Sequence, residues 1–150
     1  MIIQVAIDIH TDPQKIWSAI TDINVWQSMI RGIEKIEILN QPKEGLVGLK
    51  WKETRTLFGK QATEIMWITA VEPGKSYTVN AESHGALYIT KISIKQIADC
   101  CRFTQEFRSI PQTLGARILG FIFGAMMKKS VIKALKSDLA DIKAAIEDSP

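Results

Sequence analysis

Residues 113–147 read TLGARILGFIFGAMMKKSVIKALKSDLADIKAAIE, and this run decides the fold. Ile110-Pro111 precedes it, after which the period-two pattern of the preceding chain stops and no proline interrupts a helix from about Thr113 to Glu147. In its second half Val131, Leu135, Leu139, Ile142 and Ile146 step by four, four, three and four, with Lys129, Lys133, Lys136, Asp141 and Lys143 on other faces. That is one apolar stripe on a helix that must lie against something. The first half, Leu114 to Met127, is apolar almost all round; Arg117 is its only charge, and Ala116, Gly120 and Gly124 recur every fourth residue. A run this short falls below the roughly 20 residues needed to cross a bilayer. It is expected to lie buried across a sheet. A sharper alternative makes it a gate, with Phe121, Phe123, Met126 and Met127 over a pocket mouth, and with Lys128 and Lys129 suited to transient docking on an anionic membrane.

Upstream, the chain is built to supply that sheet. Ile3, Val5, Ile7 and Ile9 alternate in a first strand, Ile2–Ile9. Thr11-Asp12-Pro13 then starts a short helix carrying Ile16, Trp17, Ala19 and Ile20 to about Thr21. Asp22 or Asn24 is expected to cap a second short helix with Val25, Trp26, Met29 and Ile30, stopped at Gly32. Six further strands are predicted: Ile33–Leu39, Val47–Leu57, Gln61–Val71, Ser76–Ser83, Ala86–Ile97 and Cys100–Ser109. Turn signals separate them at Asn40-Gln41-Pro42 to Gly45, Phe58-Gly59-Lys60, Glu72 to Lys75, His84-Gly85 and Ala98-Asp99. Hairpin connections make the sheet antiparallel. No repeat, linker or low-complexity segment divides the chain, so residues 1–150 form one α+β domain.

Composition narrows the function classes. Nineteen basic against sixteen acidic side chains leave +3, too little and too dispersed for a nucleic-acid footprint. Cys100 and Cys101 are adjacent, so on a strand they point to opposite faces and read as free thiols in a reducing compartment. Gln4 and Asp8 interrupt the first apolar run, which therefore does not read as a signal peptide; a cytoplasmic location is the expectation.

Strand parity sorts side chains by face. Lys50 and Lys52 mark the wet side of the third strand, so Trp51, Glu53, Arg55 and Leu57 face inward. The fourth strand contributes Ala62, Glu64, Met66 and Ile68, although Ile65, Trp67 and Val71 on the other face are also apolar. The remaining strands supply Tyr77, Val79 and Ala81, then Tyr88, Thr90 and Ile92, then Phe103, Gln105 and Phe107. Under a covering helix, Glu53, Arg55, Glu64 and Gln105 become polar groups in an apolar enclosure, where each needs a partner. Arg55 either neutralises Glu53 or Glu64 as an ion pair, or these groups together orient the polar end of a ligand. The ligand-contact candidates are thus Trp51, Glu53, Arg55, Glu64, Met66, Tyr77, Tyr88, Phe103, Gln105 and Phe107, with Trp26 and Met29 from the second helix and Phe121 and Met126 from the long one.

The order of strand, two short helices, six strands and long helix resembles the START-like or SRPBCC superfamily over the whole chain. Local motifs carry the likeness: Ile7-Asp8-Ile9 with Pro13 and Ile16-Trp17, Asp22 to Trp26, Gly48 to Arg55, Glu72-Pro73, and Asp138 to Lys143. Trp51 to Arg55, Gly59-Lys60 with Thr63-Glu64 and Met66, and Glu82 to Gly85 with Tyr88 are similar to a bacterial branch labelled polyketide cyclase/dehydrase-like. The resemblance implies a helix-grip fold, a seven-stranded curved sheet wrapped around the C-terminal helix with a cavity between them. Lipid carriers, sterol and hormone binders and aromatic cyclases share that fold, so it does not fix chemistry.

Two functions follow as expectations. The first is binding of a small hydrophobic or amphipathic molecule, with no cofactor. The second is acid–base catalysis on such a molecule by Glu53, Glu64 or His84. His84 beside Gly85 sits in a turn, which suits an exposed structural role as well as a base. Trp17, Trp26 and Trp51 serve equally as core and as pocket wall. Two distant histidines and a cysteine pair do not supply the roughly four convergent ligands of a zinc site, so no metal is expected. A homodimer contact through outward Ile65 and Trp67 is a third reading.

Overall fold

The computed structural model describes residues 1–57 and 59–148, with the backbone alone at Leu57, so the inward placement expected of Leu57 and the Phe58 part of its turn lie outside it. Strands β1 (Ile2–Ile9), β2 (Ile33–Asn40), β3 (Lys50–Leu57), β4 (Lys60–Glu72), β5 (Ser76–Ser83), β6 (Ala86–Ile97) and β7 (Cys100–Pro111) form one sheet in the order β1-β7-β6-β5-β4-β3-β2. Every neighbouring pair is antiparallel. The helices are α1 (Pro13–Thr21), α2 (Trp26–Met29) and α3 (Leu114–Glu147). Asp12 caps α1 by accepting from the Gln14 amide at 2.8 Å, with Pro13 in the first turn. The expected second helix is shorter than its apolar pattern suggested: a 3-10 turn, Ile23–Val25, runs into a single α-turn, and Asp22 makes no capping bond.

Parity holds where it positions the cavity. Trp51, Glu53 and Arg55 face Met66, Glu64 and Ala62 across the β3–β4 ladder, while Lys50 and Lys52 are exposed. Ala62 lies at the open end and is itself exposed. A register shift between Ile68 and Ala70 reverses the alternation in β4. Such a bulge turns Val71 onto the core face beside Tyr77, which accounts for that apolar residue, whereas Ile65, ahead of the shift, stays on the outer face and is exposed. The hairpin turn of β5 and β6 has φ of 51° at His84 and 75° at Gly85. A Cβ at Gly85 would stand 2.6 Å from the Thr113 hydroxyl oxygen, so glycine lets this turn meet the start of α3, and the Gln112 amide donates to the Gly85 carbonyl at 2.8 Å.

The end of α3 is clamped to the sheet. Leu139, Ile142 and Ile146 are buried in the main core with Ile9, Ile16, Ile20 and Phe103. Arg31 donates its backbone N–H and Nε to Asp141, both at 3.0 Å, and the His10 amide donates to Glu147 at 3.1 Å.

The first half of α3 departs from expectation. It is not buried across the sheet, and of the four residues expected over the pocket mouth Met127 lines the cavity while Phe121, Phe123 and Met126, 93%, 45% and 69% exposed, do not. From residue 114 to 129 every residue but Ala116 and Gly124 is exposed. From Met127 to Asp138 the helix forms one wall of a cavity whose opposite wall is the sheet, so the turns before Met127 stand clear of it. Among the described residues no helix is long and apolar enough to cross a membrane.

Candidate functional site

Between α3 and the concave face of the sheet lies a cavity of about 310 Å³, at the lower end of the range for small-molecule sites. Its sheet side carries Trp51, Met66, Val79, Tyr88, Ile92 and Phe107, and its helix side Met127, Ser130, Val131, Ala134, Leu135 and Asp138. A hollow of about 250 Å³ near Asp22, Asn24 and Gln41 has Asp22 as its single ionisable wall residue, so the chemistry belongs to the larger cavity.

Four acidic or basic side chains converge there: Glu53, Arg55, Glu64 and Asp138. Glu53 is 3% exposed; its carboxylate accepts from Trp51 Nε1 at 3.3 Å and Arg55 Nε at 3.1 Å. Arg55 also donates through Nη1 to Asp138 Oδ2 at 3.0 Å, tying strand β3 to α3. The ion pair weighed from sequence is therefore present between Arg55 and Glu53, with Asp138 as an added partner. Glu64 stands opposite Glu53 across the ladder and forms no ion pair or hydrogen bond among the described residues. Two buried atoms on the wall also lack partners, Trp26 Nε1 and Gln105 Oε1.

One guanidinium among three carboxyls leaves a surplus of acid in poor solvent. Burial raises the pKa of Glu53, outweighing the attraction of Arg55, and burial likewise raises those of Glu64 and Asp138. Burial alone would lower the Arg55 guanidinium, but Asp138 and Glu53 overcome it and raise it. Burial, then Glu64, lifts the Tyr88 hydroxyl.

A pH prediction follows from Glu64. A carboxyl whose folded pKa exceeds its unfolded value adds stability that is fully present below the unfolded pKa and lost as pH rises through the folded one. Glu64→Gln should therefore be more stable than the unsubstituted chain near pH 7, with the gap closing toward about pH 3, below the ordinary glutamate range, where Glu64 is protonated in both states. Urea midpoints across that range test it; a Glu64→Gln chain less stable than the unsubstituted one near pH 7, with that deficit closing on acidification, would show that Glu64 is held as a favourable anion.

Of the residues singled out from sequence, Trp26, Trp51, Glu53, Arg55, Glu64, Met66, Tyr88, Gln105 and Phe107 line the cavity. Five do not. Tyr77 is drawn beneath α1, where its hydroxyl donates to the Ile20 carbonyl at 2.6 Å and its ring meets Trp17 edge-on. Phe103 is fully buried in the core next to Ile7 and Ile94 in register, and Met29 packs against the core from α2. Phe121 and Met126 are on the exposed part of α3. His84 is exposed in its turn and off the cavity wall. Sequence reading missed Asp138 as a site residue, though an acid adjoining the Val131–Leu135–Leu139 stripe is the signal that marks it.

By sequence, no curated protein matches the chain. Solved structures share its fold at low identity. The Thermus thermophilus protein TTHA0849 superposes with TM-score 0.80 at 11% identity, over 97% of each chain. A START superfamily protein from Mycobacterium smegmatis gives 0.80 at 13%, again over 97% of each. The Zhui aromatase/cyclase from Streptomyces sp. R1128 gives 0.75 at 12%, over 98% of this chain and 93% of that one. A family model described as polyketide cyclase/dehydrase and lipid transport matches residues 2–147, and the chain belongs to that family.

Proposed function

We propose that the cavity holds a small, mainly apolar molecule carrying a neutral or cationic hydrogen-bond donor, such as a hydroxyl or an amine, at one end. The observation that carries this is a pair of unpartnered acceptors on the cavity wall, the Glu64 carboxyl and Gln105 Oε1, with Trp26 Nε1 as an unpartnered donor beside them. A buried polar atom without a partner costs about 1–3 kcal/mol, which a bound donor and acceptor would recover. Sign of charge sets the class. Arg55 is already engaged by Glu53 and Asp138, so a ligand carboxylate would enter beside Glu64 without a free guanidinium to meet it. At a few ångströms and intermediate dielectric such repulsion amounts to about 4 kcal/mol.

Decanol, decylamine and decanoate form a matched test series. Quenching of the wall tryptophans Trp26 and Trp51 should report uptake of the alcohol or the amine at least about tenfold tighter than of the acid. Equal uptake of all three would remove the donor requirement and leave the binding function standing. No uptake of any, with native mass spectrometry finding the purified protein empty, would remove the binding function.

A second reading is favoured by Glu64 alone. A carboxyl with raised pKa, unpaired and facing a cavity beside Tyr88, is suited to general acid–base work on a bound carbonyl or hydroxyl. Glu64→Gln separates the two, because an enzyme would lose turnover of a cyclising or dehydrating substrate at unchanged affinity, whereas a carrier would change affinity.

A further inference from the structure

We propose that the first half of α3 is a docking surface for an anionic lipid bilayer. Two independent features of this segment coincide. The first is apolar exposure: Leu114 (74%), Ile118 (52%), Phe121 (93%), Ile122 (61%) and Met126 (69%) stand in solvent along one side of the helix. A contiguous surface of this kind on a folded domain marks a site of association. The second is charge. Between Glu106 and Asp138 the chain has no acidic residue, yet carries Arg108, Arg117, Lys128, Lys129, Lys133 and Lys136. All six are exposed, and among the described residues the last five form no ion pair.

Geometry selects the mode of contact. At 1.5 Å per residue the apolar run spans roughly 20 Å, short of the about 30 Å hydrocarbon thickness. It is long enough to sink into the headgroup and upper acyl region, with Lys128 and Lys129 at its inner end reaching lipid phosphates through their aliphatic stems. Charge also argues against a second copy as the occupant. A second copy has no carboxylate between Glu106 and Asp138 to offer these lysines, whereas an anionic bilayer satisfies both the apolar and the cationic parts.

The docking segment runs directly into the cavity wall, since Met127, Ser130 and Val131 line it. Membrane contact therefore places the cavity beside the lipid phase, where an apolar ligand could be exchanged without crossing water. This inference goes beyond the proposed ligand class and does not need it.

Co-sedimentation with vesicles tests it, using phosphatidylcholine alone and phosphatidylcholine with about one-third phosphatidylglycerol, at low and high salt. The protein should pellet with the anionic vesicles and be released by salt. Phe121→Ser with Met126→Ser should abolish pelleting, and Lys128→Glu with Lys129→Glu should weaken it at least about twenty-fold. These side chains are exposed, so thermal unfolding should be unchanged and loss of binding is not loss of fold. Failure to pellet with either vesicle overturns the proposal. So does equal pelleting with both, or lipid-free dimerisation that Phe121→Ser with Met126→Ser abolishes.

Discussion

Replacing Arg55 by alanine is expected to lower folding stability by about 3–5 kcal/mol at neutral pH, the usual consequence of removing one partner from a buried ion pair. The side chain is 18% exposed, and its two carboxylate partners are 4% and 14% exposed. Without the guanidinium, Glu53 keeps the Trp51 N–H and Asp138 loses its tie to the sheet. Both carboxyls, already raised by burial, then rise further because the cation opposing that rise is gone. The loss should accordingly shrink on acidification: protonated Glu53 and Asp138 no longer need a cation, and a raised folded pKa gives stability that is complete below the unfolded pKa and lost as pH rises. Urea denaturation at about pH 7 and about pH 4.5 reads both the size and the pH trend. Arg55→Met with Glu53→Gln and Asp138→Asn should recover most of the stability, because it removes the charges together. A loss below about 1 kcal/mol for Arg55→Ala would falsify the idea that this cluster pins α3 to β3.

The same cluster shows where sequence reading reaches and where it stops. Lys50 and Lys52 were enough to orient β3, since two solvated cations on alternate residues leave Trp51, Glu53 and Arg55 one face to occupy. Parity assigns a face but not a position along it. Tyr77 and Phe103 do point to the concave side, yet the short helices and the clamped end of α3 cover that end of the sheet, so both became core and neither reaches the cavity. Asp138 lies 83 residues from Arg55 in sequence, and no local pattern encodes that pairing. The β4 bulge is equally long-range in origin, because only the partner strand reveals that Val71 changed face. Helical periodicity told the correct story for residues 131–146 and an incomplete one for 114–127. An all-round apolar segment has no preferred face, so composition alone could not say whether sheet, solvent or another surface would meet it.

That contrast within one helix yields the second large effect. Leu139→Ala should cost about 2–5 kcal/mol, since Leu139 is 1% exposed and packs in the main core, where truncation leaves a cavity the neighbours cannot fully close. Leu119→Ala, the same chemical change on the same helix, should stay within about 0.5 kcal/mol, because Leu119 is 55% exposed. Helix propensity cannot separate the two, as leucine and alanine are both strong helix formers. Equilibrium denaturation therefore measures tertiary packing directly. Were Leu119→Ala to cost more than about 1 kcal/mol, the first half of α3 would be packing on its own protein in solution and would no longer be free to meet a bilayer. Were Leu139→Ala to cost as little as Leu119→Ala, the helix would lack its clamp, and the cavity beneath Met127 to Asp138 would have no fixed roof to hold a ligand.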